Sequence, residues 1–363
     1  MLRSVNIRNY KNYREEFIEF SERFALINGD NGSGKTNLID SIYYICMCKS
    51  YFTRSDGLVM RADETYFRLD AVFENDTEKM EVVCKYVAGK QKEFIADGIT
   101  YDRLSEHIGR FPVVIITPND IDLIYKASDE RRRFLDIAIS QLDNSYLLAL
   151  LEYNRVLQQR NALLKNFDTT SDAISVLQVF DHQLNKTGTV IYEKRKSFIK
   201  AFVPIFYSVY NALCQNRETP VINYIGQLHA ENFATLLSNN RRRDIESQRS
   251  TVGIHKDELE FSLNGLSVKE SASQGQVKSV LLALKLAQFL IIVEQTGKHP
   301  ILLLDDVFEK LDTHRLKALF QLLKSEKFYQ VLITDADAER SKRILSEMEI
   351  IYDHFNVSNG QIV

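Results

Sequence analysis

The run Asn28-Gly29-Asp30-Asn31-Gly32-Ser33-Gly34-Lys35-Thr36-Asn37 gathers the residue types that chemistry on a phosphate chain needs. From Gly29 the pattern is Gly-x4-Gly-Lys-Thr. Glycines permit a tight turn in which successive backbone N–H groups face an anion at the positive end of a helix. Lys35 brings a mobile charge to the terminal phosphates, and the Thr36 hydroxyl is a ligand for Mg2+. Far downstream, Ile301-Leu302-Leu303-Leu304 ends in Asp305-Asp306. A carboxylate at such a strand end, Asp305, is expected to hold Mg2+ through its water shell. Asp306 is placed to orient or deprotonate an attacking water. ATP and Mg2+ are the cofactors this set implies, and hydrolysis is the reaction.

Elements must position these residues. Phe24-Ala25-Leu26-Ile27 reads as a short buried strand before the loop, and Leu38, Ile39, Ile42, Tyr43 and Ile45 recur after it at helical spacing. That strand–loop–helix context makes the motif a phosphate-binding loop. The first 115 residues read mostly as strands: Leu69, Ala71 and Phe73 alternate with polar neighbours, as do Met80, Val82, Cys84 and Tyr86. Asp97-Gly98 suits a two-residue hairpin turn, and Val113-Val114-Ile115-Ile116 a buried strand. From Asn119 helices take over. Asp129 is expected to cap one, and a second runs from about Ser145 to Asn166, about 33 Å at 1.5 Å per residue. Asp168-Thr169-Thr170-Ser171-Asp172 reads as a hairpin tip, and a returning helix continues to Pro204. Residues 216–250 carry weak signals and are left unassigned. Ser273 caps a long apolar helix ended by Gly297, and strands at 301–304 and 331–333 flank a helix from Thr313. The alternating order implies a parallel sheet with its ligand at the carboxyl ends of the strands.

The chain has 363 residues, 45% of them hydrophobic, with a formal net charge of −3. That charge divides as −2 over residues 1–115, +2 over 116–250 and −3 over 251–363. Any nucleic-acid contact therefore needs a local patch. No apolar run looks long enough to span a bilayer, so no membrane partner is expected. The four cysteines, Cys46, Cys48, Cys84 and Cys214, lack metal-site spacing and read as free thiols of a cytoplasmic protein.

Ser273-Gln274-Gly275-Gln276, opening a long helix, resembles the signature motif of ABC-type ATPases. Its serine hydroxyl and glycine amide would form a second anion site, and Ser273, Gly275 and Gln276 are read as reaching the γ-phosphate held by another subunit. Glu309-Lys310-Leu311-Asp312 then fits a loop at a dimer interface, with Asp312 at the nucleotide. At this point the sequence resembles the RecF family, relatives of the SMC proteins. The matching stretches include Asn9-Tyr10-Lys11-Asn12-Tyr13, Pro118-Asn119-Asp120, Arg131-Arg132-Arg133-Phe134-Leu135-Asp136, Gln159-Arg160-Asn161-Ala162-Leu163-Leu164 and Gly253-Ile254-His255-Lys256-Asp257. Lys126, Ser128 and Asn119 depart from the family pattern of Gly, Pro and an acid, so the loop before the arginines is expected to differ in shape.

The resemblance implies an α/β fold: a P-loop ABC-type ATPase head with a mixed sheet, and an inserted all-helical arm lobe. Its parts would be residues 1–117, 118–250 and 251–363. It also implies slow ATP hydrolysis, an ATP-dependent homodimer, and binding to duplex DNA beside single-stranded gaps. RecO- and RecR-type partners would then help load recombinase. The alternative is the ATP-binding subunit of a membrane transporter, which usually carries Glu and His where Asp306 and Thr334 stand. An architectural SMC-like role needs far longer arms. The triplets Arg131-Arg132-Arg133 and Arg241-Arg242-Arg243 are read as internal for the first, and as DNA-facing or solvated for the second. His255 reads equally as a core or a functional histidine.

Overall fold

The computed structural model describes residues 1–74, 78–167, 171–215, 218–308 and 312–363. It divides into two compact units. One takes Met1–Asp120, Val209–Gln215 and Lys278–Val363, the other Ile121–Ser208 and Asn216–Val277.

The first unit opens with β1 (Leu2–Tyr10), β2 (Tyr13–Glu19), β3 (Phe24–Asn28) and helix α1 (Lys35–Met47). β4 (Tyr66–Glu74), β5 (Lys79–Val87), β6 (Glu93–Ala96), β7 (Ile99–Thr100) and β8 (Val113–Ile116) follow. An antiparallel sheet has the order β2-β1-β4-β5-β6-β7. Its period-two pattern works as expected, with Leu69, Ala71 and Phe73 turned into the core. Asp97 and Gly98 both have positive φ, 49° and 79°, and turn β6 into β7.

The second unit begins with α2 (Asp122–Tyr125), α3 (Ser128–Leu142), α4 (Asn144–Lys165) and α5 (Ser171–Cys214). After β9 (Pro220–Ile225) come α6 (Phe233–Glu246), β10 (Glu258–Leu263), β11 (Leu266–Ser267) and α7 (Val268–Ser271). Strands β11-β10-β9 form a sheet of their own, so this lobe is not helices alone, and it extends beyond residue 250 to Val277. Val221 and Asn223, in the stretch left unassigned, pair with Ser262 and Glu260 from well downstream, which local pattern cannot reveal.

Three helix ends differ from expectation. Asp129 lies inside the first turn of α3, whose cap, Ala127, offers no side-chain oxygen. Asp143 caps α4 instead, accepting from the Ser145 and Tyr146 amides. α5 passes through Pro204 and ends at Cys214. Proline forfeits one backbone bond, but Phe198, Phe202, Phe206, Val209, Tyr210 and Leu213 keep one buried stripe on both sides of it. Of the expected hairpin tip, Asp168, Thr169 and Thr170 lie outside the described residues, and Ser171 and Asp172 already belong to α5.

The first unit resumes at Lys278, within α8 (Gln274–Thr296), and continues through β12 (Ile301–Asp305), α9 (Thr313–Leu323), β13 (Gln330–Asp335), α10 (Ala338–Glu347), β14 (Tyr352–Ser358) and β15 (Gln361–Ile362). α8 ends at Gly297 in the left-handed region, φ 69°. Contrary to the sequence reading, two helical spans, Asp172–Cys214 and Gln274–Thr296, are long and apolar enough to cross a bilayer by length and composition. The second is mostly enclosed by the core, which explains its composition without a membrane. The second sheet of this unit has the order β15-β14-β3-β13-β12-β8, parallel except at β15. Asn28 stands opposite Asp335, and Asp305 opposite Thr334, so the polar strand ends gather along one edge. α1 lies between the two sheets, and only Thr36 and Asn37 of its thirteen residues escape burial.

Candidate nucleotide site

The loop after β3 is built on glycine geometry. Gly29, Gly32 and Gly34 have φ of 150°, 81° and 124°. At Gly29 a side chain would also collide with the Val357 carbonyl, 2.2 Å from an ideal Cβ, and at Gly34 with Asn12 at 2.6 Å. Gly34 caps α1 without a side-chain partner, leaving the first helical amides for an anion. Lys35 is buried, and its Nζ donates to the carbonyls of Gly29 (2.7 Å) and Asp30 (3.1 Å). The Ser33 hydroxyl is buried with no hydrogen-bond partner.

Neighbouring elements brace this loop. Asn12 Nδ2, in the turn between β1 and β2, donates to Ser33 O (3.0 Å), and Tyr13 Oη, on the first residue of β2, to Gly34 O (3.1 Å). The Gly360 amide, between β14 and β15, donates to Ser33 O at 2.8 Å. Asn37 Nδ2 donates to Asn12 Oδ1 (2.7 Å), and Asn28 Nδ2 to Asp335 O (2.9 Å). Asn28 and Asn37 therefore spend their amides shaping the loop. Asp30 and Asn31 are exposed at its tip. Asp40, fully buried, accepts from Tyr10 Oη, Ser50 Oγ and the Tyr51 amide and pairs with Lys11. Tyr10, Lys11, Asn12 and Tyr13 thus all act on the loop or its helix. The residue types of that motif alone do not announce this role.

Across the sheet edge, Thr36 Oγ1 lies 3.0 Å from both carboxylate oxygens of Asp305. Thr334 Oγ1 donates to Asp305 Oδ1 at 2.8 Å and accepts from the Asp306 amide at 3.0 Å. Burial pushes the Asp305 carboxyl up to about 6, against hydrogen bonds from Thr334 and Thr36 that favour the charged form. Asp306 follows, half-buried, with φ 48°. The donor set fits the expected ligands: hydroxyl and carboxylate oxygens suit Mg2+, and an uncapped helix start beside an orphaned hydroxyl and an ammonium suits a phosphate chain.

Of the other expected site residues, Ser273, Gly275 and Gln276 fall in the second unit. Gln276 Oε1 accepts from the Ser273 amide (2.6 Å), and the Ser273 hydroxyl, which is exposed, accepts weakly from the Gln276 amide (3.3 Å). This is a reciprocal capping box. Gln276 Nε2 also donates to Glu218. Asp312, in the first unit, caps α9 through the Arg315 amide (2.8 Å) and pairs with the Arg315 side chain. Glu309, Lys310 and Leu311 lie outside the described residues.

The arginine triplets divide. Arg131 grips Glu258 through two nitrogens and the Leu123 and Lys126 carbonyls through a third, while Arg132 donates to the Asp257 carbonyl. The internal role of the first triplet thus runs through β10 and the residue before it. Arg241 pairs with Asp181, and Arg242, highly exposed, with Glu246. His255 contacts Tyr153 Oη through Nδ1 (2.8 Å), and burial pushes its pKa down to about 4, as expected of a core group.

A family model described as "RecF/RecN/SMC N terminal domain" matches residues 1–361. The chain is 40% identical over 362 residues to the DNA replication and repair protein RecF of Parabacteroides distasonis, covering 100% of this chain and 98% of that one. It is also 40% identical over 358 residues to that of Flavobacterium johnsoniae, covering 98% and 99%. A solved recombination mediator protein RecF-ATP, in the RecFOR pathway, superposes with a TM-score of 0.89 at 27% identity, over 100% of this chain and 96% of that one. An Smc head domain from Pyrococcus furiosus, 16% identical with a TM-score of 0.57 over 100% of this chain and 95% of that one, shares the ATPase-head fold.

Proposed function

The chain belongs to the RecF family, and from that membership and the site at Thr36 and Asp305 we propose an ATP-dependent DNA clamp of recombinational repair and replication restart. It is an ATPase of DNA replication and repair. The observation that carries the mechanism is the Thr36 hydroxyl at 3.0 Å from both Asp305 oxygens. Loop amides from Gly29 to Thr36 hold the phosphates, and Lys35 exchanges the Gly29 and Asp30 carbonyls for the terminal phosphate oxygens. Thr36 and Asp305 would hold Mg2+, which supplies charge neutralisation on the phosphoryl oxygens when bound. Asp306 orients the attacking water and takes up its proton.

In this reading the exposed Ser273 hydroxyl, with Gly275 and Gln276 at the start of α8, serves the nucleotide of a second copy, and Asp312 lies at the same interface. ATP then closes a homodimer on duplex DNA beside a single-stranded gap, in the cytoplasm, and RecO- and RecR-type partners help exchange single-strand-binding protein for recombinase. Retention on gapped DNA with ATP, with ADP and without nucleotide tests this. Retention is expected with ATP alone, and equal retention in all three overturns it.

A further inference from the structure

Thr334 lies near the end of β13, and the nucleotide reading leaves it without a task. β12 and β13 run parallel with Asp305 opposite Thr334, so both side chains leave the same face of the sheet. Thr334 is fully buried. A hydroxyl has one proton and two lone pairs. Here a lone pair takes the Asp306 amide at 3.0 Å, and the proton goes to Asp305 Oδ1 at 2.8 Å. One side chain therefore fixes two things. It locks the rotation of the Asp305 carboxylate, whose oxygens also face Thr36 at 3.0 Å. It also ties down the peptide that enters Asp306, whose φ of 48° is a conformation that residues other than glycine rarely adopt.

We propose that Thr334 is a positioning residue for Mg2+-dependent hydrolysis: its hydroxyl orients the Asp305 carboxylate toward the cation and sets the Asp306 backbone beside it. The inference rests on the reading of Thr36 and Asp305 as the cation's ligands. In this reading Thr334, fully buried with its proton on Asp305 and a lone pair on the Asp306 amide, acts through those two residues and not as a ligand of the cation. Partners of this kind, one bond behind a metal ligand, usually change metal affinity or activity by ~10–100-fold when removed.

The test uses full-length Thr334→Val, Thr334→Ser and Asp305→Asn. A fluorescent ATP analogue is bound first in EDTA and then against rising Mg2+, and hydrolysis is followed over the same range. Thr334→Val is expected to keep the EDTA affinity, to raise the Mg2+ concentration for half-maximal effect by ~10-fold or more, and to lower kcat by ~10–100-fold. Thr334→Ser, which keeps the hydroxyl, is expected within ~3-fold of the parent. If the valine variant folds poorly, Thr334→Ala takes its place. An unchanged Mg2+ requirement in the valine variant, with a raised one in Asp305→Asn, overturns this inference alone. An unchanged requirement in both overturns the cation site beneath it. A serine variant as impaired as valine shows a packing role and also overturns the inference.

Discussion

Lys35 donates its ammonium to two carbonyls of its own loop, so the loop is closed on a charge that a phosphate can claim. Charge-assisted hydrogen bonds contribute ~1.5–3 kcal/mol each. Lys35→Met should therefore weaken ATP binding by ~10–100-fold and reduce hydrolysis with it, at an unchanged circular dichroism spectrum. Unaltered affinity would show the loop to be misread. Asp306→Asn should behave differently. Asparagine tolerates the φ of 48°, so only the carboxylate is lost. Turnover should fall by the ~10²–10⁴ that a positioned acid–base group supplies, with ATP affinity kept and DNA held longer. Parental turnover in this variant would remove Asp306 from the chemistry. Two buried histidines weaken the fold toward acid. Burial holds His107 and His255 near 4, below the unfolded value of about 6.5. Between those values the unfolded chain binds more protons, so stability is full above 6.5 and falls as pH drops toward 4. At pH 5 the loss is ~2 kcal/mol per histidine. His255→Gln should flatten the drop in melting temperature between pH 7 and 5, and an equally steep drop counts against this origin.

Among the elements, α4, α5 and α6 are stapled by one side chain. Arg160 is fully buried and pairs with Asp181 on α5 at 2.8 Å and with Asp244 on α6 at 2.7 Å, while its Nη1 donates to Ser250 Oγ. Its neighbour Asn161 accepts from the Ser250 amide and hydroxyl. The Gln-Arg-Asn stretch that marked the family is thus a structural joint within the second unit. Arg160→Met would leave the buried Asp244 without its cation, while Asp181 keeps Arg241, at a cost of ~3–5 kcal/mol. Denaturant melts should register that loss while ATP affinity stays near the parent value. A change under 1 kcal/mol would mean that the pair is solvated in solution. Gly253 belongs to the same joint: its φ is 127°, and a side chain there would meet Tyr153 Oη at 2.6 Å and Phe233 at 2.7 Å.

For the whole molecule the decisive event in the proposed function is assembly. In the proposed dimer, the start of α8 from one chain senses the γ-phosphate bound by the other, so ATP and not ADP closes the pair. Ser273→Arg places a bulky cation at that contact. Gln276 can still accept from the residue-273 amide, so half of the capping box survives. ATP binding by the monomer should be near normal, with no ATP-induced dimer, little hydrolysis and weak retention on DNA. Light scattering with a slowly hydrolysed ATP analogue decides it: a variant that still doubles its mass sinks the two-chain site.

The phosphate loop, the acidic strand end and the buried strands β3, β8, β12 and β13 were legible because each is contiguous. Glycine spacing, four-residue apolar runs and strand–helix alternation are short-range signals, and Asn28 through Thr36 need only their own neighbours to declare a phosphate site. The sheet in the arm lobe was not legible, because β9 meets β10 only through pairing such as Asn223 with Glu260. The course of α5 past Pro204 was decided by side chains packed on both of its halves, which outweigh one lost backbone bond. The same holds at the site. That Thr36 faces Asp305 across 269 positions of sequence, and that Thr334 locks both acids, follows from parallel strand register. Composition and periodicity specify which face of a strand is buried. Only the register between strands, set when the core closes, specifies which polar ends meet.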